Sequence, residues 1–113
     1  MTRTDEIAGI QFIKGENEKN HPEIRLFRNH DGKKGKAVYK FYNPTSIKLE
    51  NFKAIDKMYL IDSEGELSTK KIDLTISEDH VNEVKCTYNW NTEKEFERFM
   101  RFASRYANSH SHS

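Results

Sequence analysis

The stretch EFERFMRFASRYA, residues 95–107, constrains the fold most, because it writes two opposed faces of one helix. Phe96, Phe99, Met100, Ala103, Tyr106 and Ala107 recur at helical spacing, while Lys94, Arg98, Arg101 and Arg105 recur on the opposite side. One face must dry itself against a sheet, and the other presents a row of cations. Thr92 is a good N-cap, and Glu95 three residues on completes a capping box, so the helix is predicted to begin there and run to about Ala107. The Ser/His tail after it predicts a frayed end, so residues 1–6 and 108–113 are expected to be flexible.

Upstream of that helix the apolar residues mostly alternate with period two, which is the signature of half-buried strands. Residues 7–14 form a first strand with Ala8, Ile10 and Phe12 on one side, and 15–22 a polar connector. Residues 23–28 follow, with Ile24 and Leu26 opposite Arg25 and Phe27. The segment NHDGKKG predicts a hairpin turn with positive φ into a strand over 36–42. There Ala37, Tyr39 and Phe41 face one way and Lys36, Val38, Lys40 and Tyr42 the other, until Pro44 ends the ladder. Residues 45–55 keep no clean register and are expected to be a long connection with a helical turn. A second hairpin joins 57–62 to a single return strand over 66–77, on which Ile72, Leu74 and Ile76 mark the buried side. A last strand over 83–90 points Val84, Cys86, Tyr88 and Trp90 one way. The predicted architecture is α+β: a mainly antiparallel sheet of about six strands with the C-terminal helix packed on one face, in a single domain spanning 1–113. Such a sheet leaves two edges open.

Composition bounds what this body can do. With 113 residues, one core forms comfortably and a second is not expected. Lys plus Arg number 19 against 18 for Asp plus Glu, so any attraction to a charged partner must come from local patches. The lone Cys86 excludes an intrachain disulfide and lies on the alternating apolar face, where a small buried hydrophobe is expected rather than a nucleophile. The N-terminus carries no signal-peptide pattern, and no run approaches the ~20 apolar residues of a membrane span. His21, His30, His80, His110 and His112 fall in separate turns and the tail, with no metal-ligand spacing. Asp62, Glu64 and Glu66 crowd a hairpin tip and are expected to be a solvated turn. No enzyme chemistry and no cofactor is expected.

Two cationic surfaces remain as candidate sites. Arg25, Arg28, Lys36 and Lys40, with Phe27 and Tyr42, gather on the first hairpin. Arg98, Arg101 and Arg105 line the helix, with Phe102 falling beside that row as part of a docking surface. The strand set also admits a single-stranded nucleic-acid face of stacking rings and phosphate-seeking cations, an alternative that near-neutral charge and a missing glycine-aromatic signature disfavour.

Six motifs in order resemble a known family. These are Ile10-Gln11-Phe12, Ile24-Arg25-Leu26-Phe27-Arg28, Asp31-Gly32 with Gly35, Phe41-Tyr42-Asn43-Pro44, Met58-Tyr59-Leu60-Ile61-Asp62 with Glu64-Gly65-Glu66, and Arg98-Phe99-Met100-Arg101-Phe102 with Arg105-Tyr106-Ala107. Together they are similar to the photosystem II assembly factors of the Psb28 family. Phe27 stands where that family commonly has a small polar residue and Phe96 where it has tryptophan, departures expected of a divergent or second copy. The resemblance implies a peripheral, pigment-free protein that docks transiently on the cytoplasmic or stromal face of immature photosystem II in the thylakoid. Its partners there would be the reaction-centre loops and the C-terminal tail of the larger core antenna subunit, which adds to the sheet of the assembly factor.

Overall fold

The computed structural model describes residues 8–110, His110 by its backbone alone. The expected flexibility of residues 1–6 and 111–113 falls outside these, as do Ile7 and His112. Eight strands and one helix are present: β1 (Gly9–Ile13), β2 (Glu16–Asn17), β3 (Glu23–Arg28), β4 (Gly35–Tyr42), β5 (Met58–Asp62), β6 (Gly65–Thr69), β7 (Ile72–Ile76), β8 (Val81–Trp90) and α1 (Glu93–His110). The α+β class holds, but the strands form two four-stranded antiparallel sheets, ordered β2-β1-β5-β6 and β3-β4-β8-β7.

The expected return strand over 66–77 is where one sheet becomes two. Gly65–Thr69 pairs with β5, and after Lys70 and Lys71 the chain pairs with β8 instead. The inward residues change parity across those lysines, from Leu67 to Ile72 and Leu74, and a one-residue slip of phase cannot continue in one strand without turning its apolar face to water. Ile76 lies past a register shift at Thr75/Ile76 and is exposed, contrary to its expected burial. The connector over 15–22 likewise holds more structure than expected. It contains β2, and Glu18 within it is buried.

One core unites the layers. Ala37, Tyr39 and Phe41 of β4 and Val84 and Cys86 of β8 face Ile10, Phe12, Met58 and Leu60 of the other sheet. Phe12 meets Phe41 edge-on at 5.1 Å between ring centroids. Phe99 of α1 fills the wedge between helix and sheet, 5.4 Å from Tyr88 and 5.2 Å from Trp90. Gly35 permits the tight end of this stack, since a Cβ there would sit 2.4 Å from the Phe27 carbonyl oxygen and 2.7 Å from the Trp90 ring. In the turn it is Gly32, at φ 72°, that supplies the left-handed residue. The expected helical turn appears as one 3-10 turn at Phe52–Ala54.

Helix α1 begins as the sequence predicts. Thr92 Oγ1 accepts from the Glu95 amide at 3.1 Å, and the Glu95 carboxylate accepts from the Asn91 amide at 2.7 Å, one residue earlier than a standard capping box. Its end differs from expectation. Asn108 and Ser109 remain helical, and Ser109 Oγ accepts a hydrogen bond from the Ala8 amide at 3.0 Å, tying the helix to the start of β1.

Candidate docking surface

Each functional side chain is placed by the parity of its strand. In β3, Glu23, Arg25 and Phe27 pair with Lys40, Val38 and Lys36 of β4, and all six lie on the outer face of the sheet, away from the core. Lys85 of β8 pairs with Lys40 and extends that face. These seven residues line a shallow depression of about 320 Å³. Tyr42 belongs to the same face, its hydroxyl 3.2 Å from the Glu23 carboxylate. Lys36 Nζ rests 5.5 Å from the centre of the Phe27 ring and Lys40 Nζ 6.0 Å from that of Tyr42. Among the described residues no carboxylate lies within ion-pair distance of Arg25, Lys36, Lys40 or Lys85, and five of the predicted residues do share one cationic and aromatic surface.

Strand β3 is the outer strand of its sheet and is exposed along all six residues. Its inward-facing Ile24 and Leu26 remain 40% and 46% exposed, outside the core that β4 and β8 share with the other sheet and the helix. An edge strand with open backbone groups, Ile24 and Leu26 on its inner face and lysines of β4 beside its outer face, is a ready template for an added strand. Strand β4 is not an edge: it lies between β3 and β8 and contributes side chains only.

Arg28 does not join Arg25. It pairs with Gly35 on the inner face, stacks its guanidinium 3.8 Å from the centre of the Phe96 ring and donates to the Gly32 carbonyl at 2.6 Å. It braces the turn to the helix.

The helix arginines require a larger correction. Asp62 shares the inward parity of Met58 and Leu60, so its carboxylate is buried under α1 instead of solvated at a hairpin tip. Arg98 meets it with two hydrogen bonds, at 2.7 and 2.9 Å, and Arg105 adds a third at 3.0 Å. Arg101 grips Glu64 in the same bidentate way, at 2.7 and 3.0 Å, and Arg105 also reaches Glu64. Burial opposes ionisation of Asp62, yet the bonds from Arg98 and Arg105 outweigh it and hold the carboxyl below the usual range. Glu64 is drawn down to about 2 by Arg101 and Arg105. The predicted row is therefore a clamp joining the β5–β6 turn to the helix, and only Arg101 keeps half of its side chain open. Phe102 is 0% exposed and belongs to the core, whereas Met100, expected inside, is exposed.

Glu18 is the residue that sequence reasoning missed. Its buried carboxylate accepts from the Ser46 hydroxyl at 2.6 Å, the Thr45 and Ser46 amides at 2.8 and 2.9 Å, the Thr45 hydroxyl at 2.9 Å and the Asn20 amide at 3.0 Å. Burial pushes against its charge, but these donors together hold its pKa below the ordinary value. It staples the β2 segment to the connection after β4. Burial pushes the Cys86 thiol up to about 12, consistent with an inert core residue.

No helix among the described residues is long and apolar enough to cross a membrane, and no group of three or more His, Cys, Asp or Glu among them could hold a metal ion. The profile of the Psb28 protein family matches residues 10–112. The chain belongs to the Psb28 family. It is 75% identical over 109 residues, 96% of each chain, to the photosystem II reaction center Psb28 protein of Prochlorococcus marinus strain NATL2A. The corresponding protein of strain NATL1A is 73% identical over the same shares. That of Synechococcus sp. strain CC9902 is 40% identical, across 96% of this chain and 83% of its own. In this Psb28 chain the outer face of β3 and β4 falls within the matched region, as does the helix clamp.

Proposed function

We propose that the chain is a non-enzymatic photosystem II assembly or repair factor that docks transiently on the cytoplasmic, or stromal, face of an immature complex. Its relatives carry photosystem II in their names. The observation that carries the mode of action is strand β3, a sheet edge whose six residues are all exposed and which has no strand on its outer side. A tail from the larger core antenna subunit pairs with that edge and gains backbone hydrogen bonds, while Arg25, Phe27, Lys36, Lys40 and Tyr42 fix its register against the outer face. Arg101, half open on the helix, is a secondary contact. The nearby reaction-centre loops are held away from their mature arrangement until the factor leaves, which shields the unfinished acceptor side. No bond is made or broken by the factor itself.

The test is co-purification from detergent-solubilised membranes of a photosynthetic cell expressing the tagged protein. The native chain is expected to bring down incomplete photosystem II. The exposed-edge variant Ile24→Lys with Leu26→Lys, which places charge on the strand margin without entering the core, is expected to lose it. Unchanged recovery with that variant, or recovery of no photosystem subunits by the native chain, would contradict the reading.

A further inference from the structure

The cations of the outer face are not evenly spread. Towards the β3–β4 turn Phe27, 48% exposed, stands with Lys34 and Lys36, next to Lys33 in the turn and Arg25 at mid-strand. Lys71 is held at the same end by a 2.9 Å bond to Asn89, the residue that pairs with Lys36. At the opposite end Glu23, Glu83 and Asp73 stand beside Lys40, Tyr42 and Lys85 and offset their charge. Among the described residues none of Arg25, Lys33, Lys34, Lys36 or Lys71 forms an ion pair. Asp31, the one acid in the turn, accepts from the Lys33 amide at 2.9 Å and offsets part of the charge of Lys33 and Lys34, leaving the turn end with a net positive charge.

We propose that this turn end, Phe27 beside Arg25, Lys34 and Lys36 with Lys33 in the adjoining turn, seats on the anionic headgroups of a lipid bilayer. The layout decides the occupant. The cations lie on two strands and the turn that joins them, so they form a two-dimensional array, which a field of headgroups matches and a single extended chain does not. Three of the four are lysines, flexible point charges suited to diffuse attraction, and not the bidentate arginine forks that the helix uses on its carboxylates. An exposed aromatic among lysines is the composition of a surface that rests at a membrane interface. The contact shares Arg25, Phe27 and Lys36 with the protein docking proposed above, so lipid holds this face before docking and the partner tail takes it over. It would hold the factor beside a membrane-embedded complex and raise its local concentration there.

Sedimentation with vesicles tests it. The full chain is expected to bind phosphatidylcholine vesicles containing about 30% phosphatidylglycerol, to ignore pure phosphatidylcholine, and to be released at about 0.5 M salt. Replacing Lys33, Lys34 and Lys36 by Gln is expected to weaken binding at least about tenfold, each cation near the surface contributing to attraction. Phe27→Ser is expected to weaken it without changing the salt dependence. A circular dichroism spectrum like that of the native chain shows that each variant is folded. Equal binding to both vesicle types, or native binding by the triple variant, would overturn the proposal. So would a native chain that binds single-stranded oligonucleotides through these lysines but no vesicles. Co-purification in detergent contains no bilayer, so its outcome is independent of this one.

Discussion

At the scale of single residues, parity decides role. Phe27 and Phe102 are both apolar rings beside cations in the sequence, yet one stands open on a strand margin and the other is sealed in the core, stacked 5.8 Å from Tyr106. Phe102→Ala is therefore expected to cost about 4 kcal/mol in urea unfolding, through lost burial and the cavity left behind. Phe27→Ala is expected to change stability by no more than about 0.5 kcal/mol. Similar losses for the two would contradict these assignments. Strand parity was readable from the sequence: Ala37, Tyr39 and Phe41 face inward as their alternation requires, and Arg25, Lys36 and Lys40 face outward. The helix was harder, because Phe102 borders the arginines on a helical wheel. Which flank of the apolar stripe is buried depends on where the second sheet lies, and local spacing carries no information about that.

At the scale of elements, the clamp between α1 and the β5–β6 turn is the feature that pattern reading could have found and did not. Asp62 continues the inward series of Met58 and Leu60, and three arginines on one helix side call for carboxylates from elsewhere in the chain. Breaking a buried pair leaves an uncompensated charge. Asp62→Ala is thus expected to lower stability by about 3 kcal/mol in urea unfolding, and Glu64→Gln, at the exposed end, by less. The pH dependence has a definite sign. Both carboxyls have folded pKa values below their unfolded values of about 4, so their contribution is complete above that pH and is lost as pH falls through the folded values. For Glu64 the loss runs down to about pH 2. Acid titration of the native chain should show progressive destabilisation over that window, reduced in the Glu64→Gln variant; an unchanged acid limb would contradict the clamp. The split of residues 66–77 into β6 and β7 was also written in the sequence, as the phase slip at Lys70 and Lys71. Glu18 was not, because nothing local distinguishes a carboxylate that will meet Thr45 and Ser46 across the fold.

At the scale of the whole molecule, two sheets and a helix share one core, while Ile24 and Leu26 of β3 remain largely outside it and only Arg28 of that strand reaches the helix. That open margin is the feature on which the proposed docking rests, and it could not be read from six expected strands in one sheet. The central claim is that this bare edge receives a strand from the photosystem. Amide hydrogen exchange measured on the free chain and on the chain within the isolated assembly complex tests it most directly. Those amides of residues 23–28 that point away from β4 are expected to exchange readily in the free chain and to become protected in the complex, with those of β7, the opposite edge, unchanged. Protection confined to β7 or α1, with residues 23–28 exchanging as freely as before, would contradict it.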